Sequence, residues 1–272
     1  MAAVNPGERA VTTLQSLLLG LLYVFLYFPI FYIAYLSVMQ NSVWPFPPEF
    51  TAAWYERLAI MSDFHDGLIN SVLLGLGSGA LSTLLAGLAV VGLLKYPGRW
   101  RGPMAILYVS PLFVAHVLIG ISSLMFNRGV LDLPGTLASA IVANSTYGIS
   151  FAFLVILAQL VRYDWRLDDV GQVFGATPFR CFREVTLPNI WPAMLGAFLI
   201  TFLLAFNELE ISFYNLGAIP TLPTVAWGSL RYGLKPELFA LAALVNGLVF
   251  VVFVVMYVLM RMGVVRFGYR GK

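Results

Sequence analysis

Apolar residues dominate this chain in long runs, and polar residues gather in the gaps between them. Six runs are long enough to cross a bilayer, which needs about 20 mostly apolar residues in succession: residues 14–38, 68–94, 104–126, 136–160, 193–214 and 237–260. In lipid, a segment must satisfy its own backbone hydrogen bonds, so each run is predicted to be a helix. The pattern therefore predicts an all-α membrane protein with six transmembrane helices and a single transmembrane domain over residues 1–272. The first run follows one Arg and one Glu and shows no small-residue cleavage site, so it reads as a retained signal-anchor.

Composition agrees with the pattern: 60% of residues are hydrophobic and 11% charged, against roughly half and a quarter in soluble domains. Mean hydropathy is +0.86. A net charge of +3, widely dispersed, offers no nucleic-acid surface. The basic residues instead carry topology. With both termini inside, the inner segments hold Arg9, Lys95, Arg99, Arg101, Arg162, Arg166, Arg180, Arg183, Arg261, Arg266, Arg270 and Lys272. The outer loops hold only Arg57, Arg128, Arg231 and Lys235. By the positive-inside bias both termini are cytoplasmic. Cys181 is the single cysteine, which excludes an intrachain disulfide, and no Cys/His spacing suits a metal. Asp63, His65 and Asp66 in the first outer loop read as a solvated face.

The longest inner loop, residues 161–192, has local structure of its own. Asp164 can cap a short helix, with Asp168 and Asp169 near its positive end. Gly175 is suited to a left-handed stop. Thr177 then caps a second short helix with Pro178 at its first position, running to about Glu184. Pro188 and Pro192 bracket the entry to the fifth span. Val170, Val173, Phe174, Phe179 and Phe182 are available for an apolar face. Such a loop fits either an interfacial connector resting on lipid or a knob for a groove in a soluble partner.

The run "DVGQVFGATPFRCFREVTLPNIWPAM" resembles the EAA loop of binding-protein-dependent ABC importer permeases. Gly175-Ala176, Phe179, Phe182, Val185, Leu187-Pro188 and Pro192 stand in the expected order, while the Glu-Ala-Ala triplet is replaced by Asp169-Val170-Gly171. From about residue 68 to 260 the chain is similar to the spermidine/putrescine-type subfamily, through "NSVLLGLGSGALSTLLAGLAVVGLLKY", the Ser-Pro at 110–111, "FNELEISFYNLG" and "LPTVAWGSLRYGLKPELFALAAL". The resemblance implies a type I (MetI-like) importer permease with a cytoplasmic coupling helix in a bacterial inner membrane. It implies an ATP-binding subunit dimer gripping residues 169–184, with Asp169, Gly175, Ala176, Phe179, Phe182, Leu187 and Pro188 at the contact. It also implies a second permease subunit, more often a different chain than a second copy, and a periplasmic or lipoprotein solute-binding protein. The chain has no GxxxxGK[ST] phosphate loop, so ATP and Mg are expected on the partner and no cofactor on this chain. Cargoes of the family include polyamines, amino acids, opines, aminophosphonates and ferric iron.

Intramembrane polar residues mark the candidate pathway. Asn207, Glu208 and Glu210 lie in the fifth span. On a continuous helix two residues two positions apart are about 200° apart, so one acid is expected to face the pathway and the other to pair within the bundle. His116 is placed near the middle of the third span, and Asn144 and Tyr147 belong to a polar patch in the fourth. Gly75, Gly77 and Gly79 with Ser78 read as close helix packing. A self-contained ion-coupled secondary transporter is the alternative, although it has no need of the cytoplasmic loop. No acid–base pair, Ser-His-Asp arrangement or metal cluster points to an enzyme.

Overall fold

The computed structural model describes residues 6–41, 46–95, 98–231, 233 and 235–262. Residues 43–45 of the aromatic outer loop, and Arg266, Arg270 and Lys272 of the topology pattern, lie outside the described residues.

The described residues are almost entirely helical: α1 (Pro6–Leu36), α2 (Ala53–Ile60), α3 (Ser62–Lys95), α4 (Arg101–Val109), α5 (His116–Gly129), α6 (Leu137–Leu160), α7 (Arg166–Val173), α8 (Pro178–Cys181), α9 (Leu187–Phe206), α10 (Glu210–Asn215), α11 (Leu222–Leu230) and α12 (Pro236–Arg261). Five stretches are long and apolar enough to cross a membrane: Thr12–Leu36, Ser62–Lys95, Leu137–Leu160, Pro178–Phe206 and Pro236–Val258. A sixth qualifies only if Arg101–Phe113 and His116–Gly129, bent by 108° at their junction, count as one span.

The chain divides into two units. One takes in residues 1–61 and 226–248, the other residues 62–225 and 249–272. In the first, Ser37 and Tyr55 share a 2.7 Å hydroxyl contact, and Arg57 meets Glu237 at 3.1 Å. An isolated bridge pairs Met39 with Phe50.

The second unit is built on α3, α6 and α9. Ala86, Val90 and Leu93 of α3, Ala152, Phe153, Ile156 and Leu160 of α6, and Ile190 and Ala197 of α9 form its buried core. Lipid tails are as apolar as leucine, so helices associate through close packing and short polar contacts. The glycine run does this work: a Cβ on Gly75 would meet the Phe202 ring at 2.8 Å, and one on Gly77 would meet Ile141 Cδ1 at 2.5 Å. Thr201 Oγ1 reaches the Gly79 carbonyl at 3.5 Å, and Ser82 donates to the Ser145 carbonyl at 3.4 Å.

Two expected elements are corrected, the third span and both ends of the fifth. The third span does not run continuously over 104–126. Pro111, which has no N–H, sits in a 3₁₀ turn over Ser110–Phe113, and Val114 and Ala115 are extended before α5 starts at His116. His116 therefore stands at a helix start, beside the bend between α4 and α5. The fifth span does not begin at residue 193: α8 passes through a π turn, Phe182–Thr186, straight into α9, with Pro188 in its first turn and Pro192 inside. A π turn leaves a wider hydrogen-bond register, which lets a helix continue through a disturbed segment. Nor does that span reach residue 214 as one helix. It stops at Phe206, and α10 starts at Glu210.

Candidate functional site

The start of α5, just after the first helix break, and the second break meet at a cavity of ≈ 550 Å³. Its lining includes His116, Tyr147, Asn207, Glu208 and Glu210, with Ile200, Leu203 and Leu204 of α9 and Val249, Phe253 and Met256 of α12 supplying apolar surface. The broken backbone is satisfied by side chains, as it must be where a helix is interrupted away from water. The Asn207 amide donates back to the Leu203 carbonyl at 3.2 Å. The Ser212 N–H donates to Glu208 Oε2 at 2.9 Å, so this carboxylate caps the first turn of α10.

Glu208 thus has two oxygens in two roles. Oε2 is bound within the fold, while Oε1 faces His116 Nδ1 at 3.8 Å. The residue is 8% exposed. The His116 ring stands edge-on to Tyr147, with centroids 4.2 Å apart, and Tyr147 packs in the same manner on Phe151. Asn207 and Glu210 are exposed to the cavity. Glu208 and Glu210 both line this cavity, because α9 ends at Phe206 and α10 starts at Glu210, so the 200° relation of a continuous helix does not apply; Glu208 is also the acid bonded within the bundle.

Asn144 does not line this cavity but shares a second, small one with Tyr147 and Glu208. It is buried, and its amide donates to the Ala140 carbonyl at 2.9 Å and to Ser212 Oγ at 3.1 Å. Behind it lies a network that sequence reasoning missed. Asn127 donates to Asn215 Oδ1 at 3.1 Å and to Ser139, while Asn215 donates to the carbonyls of Gly120 and Ile211. This network ties α10 to α5 and α6. A buried amide left unpaired costs roughly 1–3 kcal/mol, so it holds the short α10 and the break before it in one arrangement. The asparagines at 127 and 215 carry no local signal, because their meaning depends on meeting each other 88 positions apart.

The cytoplasmic loop forms much as its caps predict. Asp164 accepts from the Arg166 N–H at 3.1 Å. Gly175 is left-handed at φ +86°. Thr177 accepts from the Arg180 N–H at 3.3 Å, with Pro178 in the first turn of α8. Asp169, Val170, Val173, Phe174 and Phe179 are exposed, as are Gly175 and Pro188. Ala176, Phe182 and Leu187 are half-buried, and Leu187 packs on the helix core.

The acid that organises this loop is Asp168, 1% exposed. Lys95 Nζ donates to its Oδ2 at 2.7 Å, and Thr186 Oγ1 and Tyr163 Oη donate to its Oδ1 at 2.8 and 3.1 Å. Burial alone would raise the carboxyl pKa. The hydrogen bonds from Lys95, Thr186 and Tyr163, with the lysine charge, outweigh burial and hold it below the ordinary carboxylate value. Burial, followed by the charge of Asp168, pushes the Tyr163 phenol up to about 12. Asp168 therefore stays an acceptor and Tyr163 a donor across neutral pH.

No family profile matches the chain. The putrescine transport system permease protein PotI of Escherichia coli is 28% identical, covering 94% of this chain and 93% of that protein. The spermidine/putrescine transport system permease protein PotC of Haemophilus influenzae is 25% identical, covering 85% and 90%. Among solved structures, a bacterial alginate ABC transporter, in complex with an alginate pentasaccharide-bound periplasmic protein, matches with a TM-score of 0.65 at 18% identity, covering 96% of this chain and 98% of that one.

Proposed function

We propose that the chain is a permease subunit of a binding-protein-dependent ABC importer of the spermidine/putrescine type, that it forms one half of a pathway for a small aliphatic amine, and that it receives the ATPase at residues 169–184. Six spans, counting α4 and α5 as one bent span, with both termini cytoplasmic in a bacterial inner membrane, make up this reading. A separate ATP-binding subunit dimer supplies ATP and Mg, a second permease of different sequence completes the pathway, and a periplasmic or lipoprotein binding protein delivers the solute.

The observation that carries the proposal is the meeting of the α5 start and the second helix break at one cavity. Broken membrane helices expose polar groups where a solute can meet them. The carboxylates of Glu208 and Glu210 suit an ammonium group, the Tyr147 ring can add a cation–π contact, and Leu203, Leu204 and Phe253 suit methylene groups. PotI and PotC, both named for putrescine transport, fit that chemistry.

The test separates the two roles of Glu208. Uptake of labelled putrescine is measured in cells lacking other polyamine importers and carrying the complete transporter. Glu208→Gln keeps an oxygen for the Ser212 N–H but removes the charge. It is expected to raise KM at least about tenfold, the loss of roughly one charge-assisted contact, with normal amounts of assembled complex. Glu208→Ala also removes the cap, worth about 1 kcal/mol, and is expected to reduce assembly as well. Unchanged putrescine kinetics in Glu208→Gln would reject the amine pathway.

A further inference from the structure

Four segments of the second unit meet at one buried carboxylate. Asp168 belongs to α7. Lys95 reaches it from the end of α3, Tyr163 from the turn after α6, and Thr186 from the entry to α9. The Asp168 carbonyl also accepts from Cys181 Sγ of α8 at 3.7 Å. We propose that Asp168 is a positioning residue that locks the α7–α8 segment to the ends of α3, α6 and α9, so that a push on the loop moves the helices beside the cavity. This inference rests on the permease reading given above.

Three observations support the lock. First, α7 spans only Arg166–Val173. A helix of that length is marginal alone and takes its stability from tertiary contacts. Its large apolar residues cannot anchor it, because Leu167, Val170 and Val173 are 47%, 52% and 85% exposed. Second, a buried ion pair is often no more stabilising than apolar residues of the same volume. What it adds here is direction: short charge-assisted hydrogen bonds fix the angle as well as the distance between their partners. Third, the anchor points lead to the cavity. Thr186 ends the π turn, and α9 runs unbroken from Leu187 to Phe206, directly before Asn207 and Glu208. Asp169, next in sequence, is exposed and free to face a partner.

The test uses the complex purified through this chain and reconstituted in nanodiscs with its co-purifying ATPase. Spin labels are attached at Leu167→Cys, an exposed position of α7 outside residues 169–184, and at Leu88→Cys on the exposed side of α3. Cys181 is the single native cysteine and is buried. The label–label distance distribution is recorded without nucleotide and with ATP and vanadate. With the native lock it stays narrow in both states. Asp168→Asn and, separately, Lys95→Gln are expected to broaden it while the ATPase still co-purifies and hydrolyses ATP. Lys95→Arg, which keeps the charge, should restore the narrow form. The two charge-removing changes together should add little to either alone, the non-additivity of residues in one network. A narrow distribution in both Asp168→Asn and Lys95→Gln would overturn the lock and leave the permease reading intact. If Asp168→Asn fails to assemble, Lys95→Gln decides alone. A native chain that brings down no ATP-hydrolysing partner would overturn the permease reading, and the lock with it.

Discussion

Gly175 shows how much one backbone angle can decide. Its φ of +86° lies where side-chain-bearing residues are disfavoured, and nothing lies within 4 Å of an added Cβ. Space is not the obstacle; the backbone is. Gly175→Val should therefore insert normally but weaken the turn between α7 and α8 by about 1–2 kcal/mol. Less ATPase should co-purify, and uptake should fall, with Gly175→Asn in between because Asn tolerates this conformation better. Native levels of both in the valine variant would remove the turn from the coupling contact. Asp168 is a different case at the same scale. Its depressed pKa means that its stabilising contribution is present above the ordinary carboxylate value and is lost only as pH falls through the lowered one. The lock is thus closed throughout the neutral range.

At the scale of elements, the altered triplet of the loop has a packing reason. Gly171 stands where the resembled family has Ala, and Gly costs a helix about 1 kcal/mol relative to Ala. A Cβ at Gly171 would lie 2.9 Å from Cys181 Sγ. The small residue on α7 and the sulfur on α8 are a matched pair. Gly171→Ala alone should therefore lower the hydrogen-exchange protection of α7, despite its better propensity. Combined with Cys181→Ala, which removes the sulfur, it should raise protection by about 1 kcal/mol over the native loop. Increased protection in the single variant would show that the pair does not matter. The two helix breaks belong to this scale as well. Pro111 marks the first, whereas the second, at residues 207–209, has neither Gly nor Pro. The Glu208 carboxylate, accepting from the Ser212 N–H, and the donating amides of Asn144 and Asn215 hold it instead.

For the whole molecule, the decisive property is the source of energy. The permease reading puts ATP on a partner that binds residues 169–184. Depleting ATP should stop uptake, while collapsing the ion gradient at constant ATP should leave most of it. Uptake that follows the gradient and ignores ATP would support the self-contained secondary transporter. The cavity, the loop and the lock all lie in the unit formed by residues 62–225 and 249–272. The cavity and the cytoplasmic loop therefore share one packed body.

The sequence by itself determined the long apolar helices, the capped loop with its left-handed glycine, and the acids that line the cavity. These follow from local physics: apolar runs long enough for a bilayer, side chains that cap their own neighbours, and the cost of a charge in lipid. Only the tertiary structure decided that Glu208 and Glu210 share a cavity, that His116 begins a helix, that Asn127 finds Asn215, and that Lys95 closes on Asp168. Lys95 reads along the chain as one more topology charge, and Asp168 as one more acid near a helix start. Each acquires its role from a partner 73 positions away, and a pairing at that separation is set by how the helices pack, which no local pattern encodes.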